Sequence, residues 1–178
     1  MLRLFVALAL PDQVKAQLAA LSGGLPGARW VPAENYHLTL RFIGEIEAWQ
    51  AEEVDAALAA IRAPRFDLAL AGIGTFEKGG RIQSIHITAE RSPGLTHLQA
   101  KVETALQRVG LPPERRRFAP HVTLARTDKV ETHKLIGFIQ AHSLFRSPPV
   151  PVENFCLFSS FLGKEAAHYT PEVEYALG

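Results

Sequence analysis

A four-residue pattern, His-x-Thr-Leu, occurs twice in this chain: His37-Leu38-Thr39-Leu40 and His121-Val122-Thr123-Leu124. Polar and apolar residues alternate in both copies, which is the period of a half-buried strand. His37 and Thr39 therefore share one face while Leu38 and Leu40 turn to a core, and His121 and Thr123 repeat this over Val122 and Leu124. The two copies stand near the middles of the two halves of the chain. The fold must bury two apolar backings, which leaves two polar faces free to meet. An imidazole beside a hydroxyl is suited to holding an oxyanion and moving protons around it. Histidine's ordinary pKa of about 6.5 lets its neutral and charged forms coexist near neutral pH.

The rest of the chain supplies strands and helices in mixed order. Leu2–Leu10 reads as a strand, followed by a helix over Asp12–Leu21 that stops at Gly23-Gly24. A strand running into a helix is preferred here to a signal peptide. Trp30-Val31-Pro32 leads by a loop into a strand over Tyr36–Ile43, and a helix over Ala48–Arg62 buries Val54, Leu58 and Ile61. Phe66–Ala71 alternates as a strand. Lys78-Gly79-Gly80-Arg81 has the composition of a hairpin turn leading into Ile82–Ala89. Ser92-Pro93 opens a helix carrying Leu95, Leu98, Val102, Ala105, Leu106 and Val109, which stops at Gly110. The second motif strand covers Val122–Ala125, a helix is marked by Leu135, Phe138 and Ile139, and two or three strands follow to Leu177. Strict βαβ alternation is absent. The order indicates an α+β fold with antiparallel sheet pairs and helices packed outside.

Composition narrows the function classes. Formal net charge is +1, so no global field announces a nucleic-acid partner. The 47% hydrophobic and 21% charged content is that of a globular chain, and no apolar run reaches the ~18 residues of a membrane span. The single cysteine, Cys156, excludes an internal disulfide and suits a reducing cytoplasm, where it is expected as core filler. Gly72-Ile73-Gly74 lacks the third glycine and following helix of a dinucleotide fingerprint, and no Walker sequence is present. The motifs also lack the carboxylates of a metal-dependent phosphodiesterase, so neither metal nor cofactor is expected.

His37-Leu38-Thr39-Leu40 with Arg41-Phe42-Ile43-Gly44, and Pro120-His121-Val122-Thr123-Leu124-Ala125-Arg126, resemble the two signatures of the two-histidine phosphoesterases. The similarity is to the RNA 2′,3′-cyclic phosphodiesterase branch, also called the 2′-5′ RNA ligase family. It extends from Arg3-Leu4-Phe5-Val6-Ala7 through Gly72-Ile73-Gly74-Thr75-Phe76 to Ser159 and Tyr169. The resemblance implies a single two-lobed domain over residues 1–178, with two pseudo-symmetric antiparallel sheets lining a central groove and one histidine from each lobe facing it. It further implies metal-independent hydrolysis of an RNA 2′,3′-cyclic phosphate to a 2′-phosphate. Two positions depart from the pattern. Ala119 stands where relatives carry a basic residue, and His86 stands near the place of a tryptophan.

The residues themselves distribute roles around such a reaction. One histidine serves as base and the other as acid, and Thr39 and Thr123 bond the non-bridging oxygens. Arg41 has the strand parity of His37 and Thr39 and is expected to reach the phosphate or the RNA backbone. Arg126 has the opposite parity to His121 unless the strand bulges, so its place in the site rests on the resemblance. Phe5, on the same strand face as Arg3 and Ala7, is a candidate to stack on a base. His86 is expected to pack rather than line the groove. His97, His133 and His142 are expected to be solvent-facing or packing residues, and Arg115-Arg116-Arg117 a solvated loop. The expected partners are RNA ends or small nucleotides bearing a 2′,3′-cyclic phosphate, acted on by a monomer. Alternatives on the same site are reversible 2′-5′ RNA ligation, cleavage of 2′-5′ linkages, opening of another small cyclic nucleotide phosphate, or binding of RNA ends without turnover.

Overall fold

A computed structural model describes residues 1–178. The chain begins with β1 (Leu2–Ala9), α1 (Asp12–Ala19), β2 (Arg29–Trp30), a 3₁₀ turn (Ala33–Asn35), β3 (His37–Ile46) and α2 (Ala48–Ala59). It continues through β4 (Phe66–Leu68), β5 (Leu70–Lys78), β6 (Arg81–Ala89), α3 (Pro93–Arg108) and β7 (His121–Arg126). It ends with α4 (Thr132–His142), β8 (Val150–Val152), β9 (Asn154–Leu162) and β10 (Ala167–Ala176).

Two four-stranded antiparallel sheets carry the motifs, in strand orders β10-β9-β1-β3 and β2-β7-β6-β5. β4 and β8 form a separate antiparallel pair. The expected α+β class is therefore what the chain adopts. One continuous core joins the sheets: Leu4, Val6, Leu38 and Leu40 of the first lie in the same buried cluster as Ile85, Ile87, Val122 and Leu124 of the second. Leu95, Leu98, Val102 and Leu106 of α3 complete it, at the helical spacing that faces one side of that helix. Ser92 caps α3 by accepting a hydrogen bond from the Leu95 backbone N–H at 3.2 Å.

The expected elements recur with changed limits. The Phe66–Ala71 strand divides because the chain changes partner: Phe66–Leu68 pairs with β8, and from Leu70 the chain pairs with β6. Gly79 and Gly80 both take positive φ, 60° and 76°, in the two-residue turn between β5 and β6. That geometry admits glycine without steric cost and matches strand twist. Cys156 is buried, and burial pushes its thiol up to about 11, so it stays protonated as core filler.

The feature that shapes the groove is a one-residue bulge after each H-x-T. In β3, Ala7 of β1 faces Thr39 but Val6 faces Arg41, which leaves Leu40 as the extra residue. In β7, His86 of β6 faces Thr123 but Ile85 faces Ala125, so Leu124 is extra. Each bulge reverses the alternation that precedes it. Leu40 and Arg41 are both buried, as are Leu124 and Ala125, and the next residues, Phe42 and Arg126, are exposed.

The bulge corrects the expectation for Arg41. It leaves the face of His37 and Thr39, is 7% exposed, and turns toward α3. Its Nε donates to Glu103 Oε2 at 2.8 Å, its Nη1 to the Phe42 carbonyl at 2.7 Å, and its Nη2 to the Pro112 carbonyl. Arg41 thus ties the motif strand to the helix behind it and is not free to meet a phosphate. Burial alone would raise the Glu103 pKa. Hydrogen bonds from Arg41, Gln107 and the Glu114 backbone N–H outweigh it and hold the carboxyl at about 2, below its ordinary 4.5.

A depressed carboxylate pKa contributes stability that is complete above the unfolded value and is lost as pH falls through the folded one. Unfolding in urea is therefore expected to show stability declining between pH 4.5 and about 2. Glu103→Ala leaves a buried guanidinium unpaired and is expected to cost about 3–5 kcal/mol at neutral pH. It should also flatten the acid decline. An unchanged acid decline in the variant would contradict the role given to this pair.

Candidate active site

The two sheets present their H-x-T faces to one groove of about 480 Å³. His37, Thr39, His121 and Thr123 all line it, with Arg3, Phe5, Asn35, Phe42, Arg126, Ser160 and Tyr169. The alternation within each motif is what delivers these four side chains. Leu38 and Val122, one residue out of phase, are fully buried behind them.

Each histidine is anchored by the same local contact. His37 Nδ1 lies 2.7 Å from the Asn35 carbonyl oxygen, and His121 Nδ1 lies 2.6 Å from the Ala119 carbonyl oxygen. A carbonyl only accepts, so Nδ1 carries the proton in both rings, and Nε2 is left as the acceptor. The carbonyl sits two residues before the histidine in both lobes. At Ala119 it is the backbone that holds His121, so the missing basic side chain does not affect this anchor. Asn35 is fixed in turn by its side-chain amide, which donates to the Ala167 carbonyl at 2.8 Å.

Rings support each imidazole. His37, Phe5 and Tyr169 form a triangle with centroid distances of 4.9, 5.1 and 5.1 Å. His121, His86 and Phe76 form another, at 4.8, 4.6 and 4.8 Å. Burial lowers the pKa of His37 below 6.5 despite the Asn35 contact that raises it, and the charges of His121 and Lys15 lower it further. Burial likewise lowers His121, opposed by its bond to Ala119. Both rings therefore stay neutral to lower pH than a free histidine.

Phe5 is in the groove but not as expected. It is only 3% exposed, stacks on Phe158 at 5.2 Å and packs against His37, so no ring face is open to a base. The open ring is Phe42, 56% exposed and 6.1 Å from Phe5. Arg126 lines the groove because the β7 bulge turns it there, and it forms none of the chain's ion pairs. Phe42 and Arg126 are thus equivalent: both stand five residues after the motif histidine. Comparing the two motifs position by position marks them as a pair, but only the bulge shows that they face inward. Asn35 and Phe76 give no periodic signal in the sequence.

No group of three or more His, Cys, Asp or Glu side chains is placed to hold a metal ion. No helix is long and apolar enough to cross a membrane. Two anchored imidazoles and two hydroxyls line one groove with an arginine at its wall, a set of groups chemically suited to proton transfer at an anionic ester.

Comparison with known proteins agrees with this class. The model of the LigT-like phosphoesterase family matches residues 8–86 and again 85–168, one His-x-Thr-Leu motif in each match. The chain belongs to the LigT-like phosphoesterase family. An RNA 2′,3′-cyclic phosphodiesterase of Thermotoga maritima is 31% identical, over 90% of this chain and 88% of its own. That of Escherichia coli is 29% identical, over 98% of this chain and 96% of its own. Among solved structures, E. coli LigT complexed with 3′-AMP superposes with a TM-score of 0.78 at 29% identity, covering 99% of this chain and 98% of that one. A second solved structure, TT0787 of Thermus thermophilus, superposes with a TM-score of 0.82 at 26% identity, over 98% of this chain and 97% of that one.

An NMR titration of the imidazole C–H resonances is expected to place the midpoints of both His37 and His121 below 6.5. A midpoint above 6.5 for either would contradict the burial described for that ring.

Proposed function

We propose that this protein hydrolyses RNA 2′,3′-cyclic phosphate ends to 2′-phosphates by acid/base catalysis without a metal ion. The observation that carries this reading is the pair of H-x-T strands whose histidines, both anchored through Nδ1, present their second nitrogens to one groove. The names of the relatives in T. maritima and E. coli support the substrate class.

In the reaction, water attacks phosphorus and the bond from phosphorus to the 3′-oxygen breaks. One histidine takes a proton from the water while the other gives one to the departing 3′-oxygen, which leaves a 2′-phosphate and a 3′-hydroxyl. Thr39 and Thr123 donate hydrogen bonds to the non-bridging oxygens as charge gathers there. Each proton transfer contributes about 10²–10⁴ in rate, or about 3–5 kcal/mol of barrier. Arg126 faces the phosphate or the adjoining backbone as a fixed positive charge, and Phe42 offers the face on which a base stacks.

Because one histidine must be neutral and the other charged, kcat/KM is expected to follow a bell in pH. Its limbs belong to the pair rather than to either ring. The lowered histidine pKa values place the acid limb below 6.5. The test is incubation with a short RNA ending in a 2′,3′-cyclic phosphate, with EDTA present, and identification of the product. A 2′-phosphate is expected. A 3′-phosphate would reverse the leaving group, inhibition by EDTA would bring in a metal, and intact cyclic ends would turn the reading to another cyclic or 2′-5′ substrate. Arg126→Ala is expected to raise KM about tenfold, as loss of one charge-assisted phosphate contact does. An unchanged KM would remove Arg126 from the binding surface.

A further inference from the structure

The two ring triangles differ in their members: Phe5 and Tyr169 stand against His37, whereas His121 has Phe76 and another imidazole, His86. His86 lies opposite Thr123 of β7 on one side and Gly74 of β5 on the other. It is 7% exposed, and its Nδ1 is buried with no hydrogen-bond partner. Its ring stands 4.8 Å from that of His121 and 4.6 Å from that of Phe76.

Gly74 explains how an imidazole is accommodated there. A Cβ at position 74 would stand 2.3 Å from His86 Nε2 and 3.0 Å from its Cε1. Gly74 is not among the glycines with positive φ, so the backbone does not demand glycine at this position. The space taken by the His86 ring does. The chain thus gives up a side chain in the middle of a strand, and leaves a buried nitrogen unpaired, to keep an imidazole against His121.

We propose that His86 is a positioning residue for His121: seated over Gly74 and flanked by Phe76, it forms the wall that holds the His121 ring in its groove-facing orientation. The only polar restraint on that ring is its single bond to the Ala119 carbonyl, which leaves rotation about that bond to be checked by packing. His86 does not serve as a third proton carrier. Burial and then the His121 charge hold its pKa down at about 4, so it is neutral near neutral pH.

The inference rests on the phosphodiesterase reading, and the test separates the two. Three variants are compared: Gly74→Ala, His86→Ala and the double variant. Mis-aiming a proton-transfer group by an ångström is expected to lower kcat by about 10²-fold, with KM changed little, in each single variant. In Gly74→Ala the new methyl drives the His86 ring against His121. Removing that ring makes the methyl harmless, so the double variant is expected to be no slower than His86→Ala alone. Multiplying losses would overturn the proposal, and so would single variants that keep wild-type kcat.

The second readout is the NMR titration of His121, which needs no substrate. Taking away His86 admits water to one face of the ring, so the midpoint is expected to rise toward 6.5. The titratable group coupled to His121 across the groove is His37, and the charged group lining the same groove is Arg126; both are unchanged in these variants. A protein inert toward cyclic ends whose His121 still shifts upward in His86→Ala would overturn the phosphodiesterase reading alone. An active enzyme whose His121 titration is untouched would overturn the positioning role alone.

Discussion

The bulge that follows each H-x-T decides which side chains reach the groove. Before it, alternation alone sets histidine and threonine on one face over leucine or valine. After it, two consecutive residues are buried, and the next turns back to the groove. Without the bulge Arg41 would face the groove, and Phe42 and Arg126 would face away. With it, Arg41 becomes the strut between β3 and α3 through Glu103, and the groove receives an aromatic from one lobe and a cation from the other. The same backbone device, used twice, thus yields an aromatic wall on one side and a charged wall on the other.

Much of this is legible in the sequence where a period of two or of 3.6 residues carries it. The motif strands, the α3 face, the capped start at Ser92 and the Gly79-Gly80 turn all follow from local chemistry. The α+β class follows from their order. Strand parity misplaces Arg41 because it assumes an unbroken strand, and nothing in Leu40-Arg41 marks an extra residue. Phe5 escapes for a different reason. Parity puts it on the groove side correctly, but Phe158 and Tyr169, which cover it, come from the other end of the chain. His86 is again a tertiary effect, since its burial depends on an empty position at Gly74 of the neighbouring strand.

The two lobes are alike in backbone and unlike in chemistry. Both anchor Nδ1 on the carbonyl two residues upstream, and both hold the ring in a triangle of neighbours. Yet the supports are phenylalanine and tyrosine on one side, and histidine and phenylalanine on the other. An in-line displacement asks different things of its two ends, since one group must take a proton while the other gives one. A repeated scaffold with different neighbouring rings suits the proposed displacement without disturbing the placement of the four motif side chains.

The claim at the centre of this account is that His37 and His121 work as one catalytic unit on a single phosphate. The most direct test is the rate of cyclic-phosphate hydrolysis for His37→Ala, His121→Ala and the double variant. Residues that act as a unit lose their effect together. Near-total loss in each single variant, with the double variant no slower than either, is the expected result. Substantial activity in either single variant, or losses that multiply in the double, would contradict it.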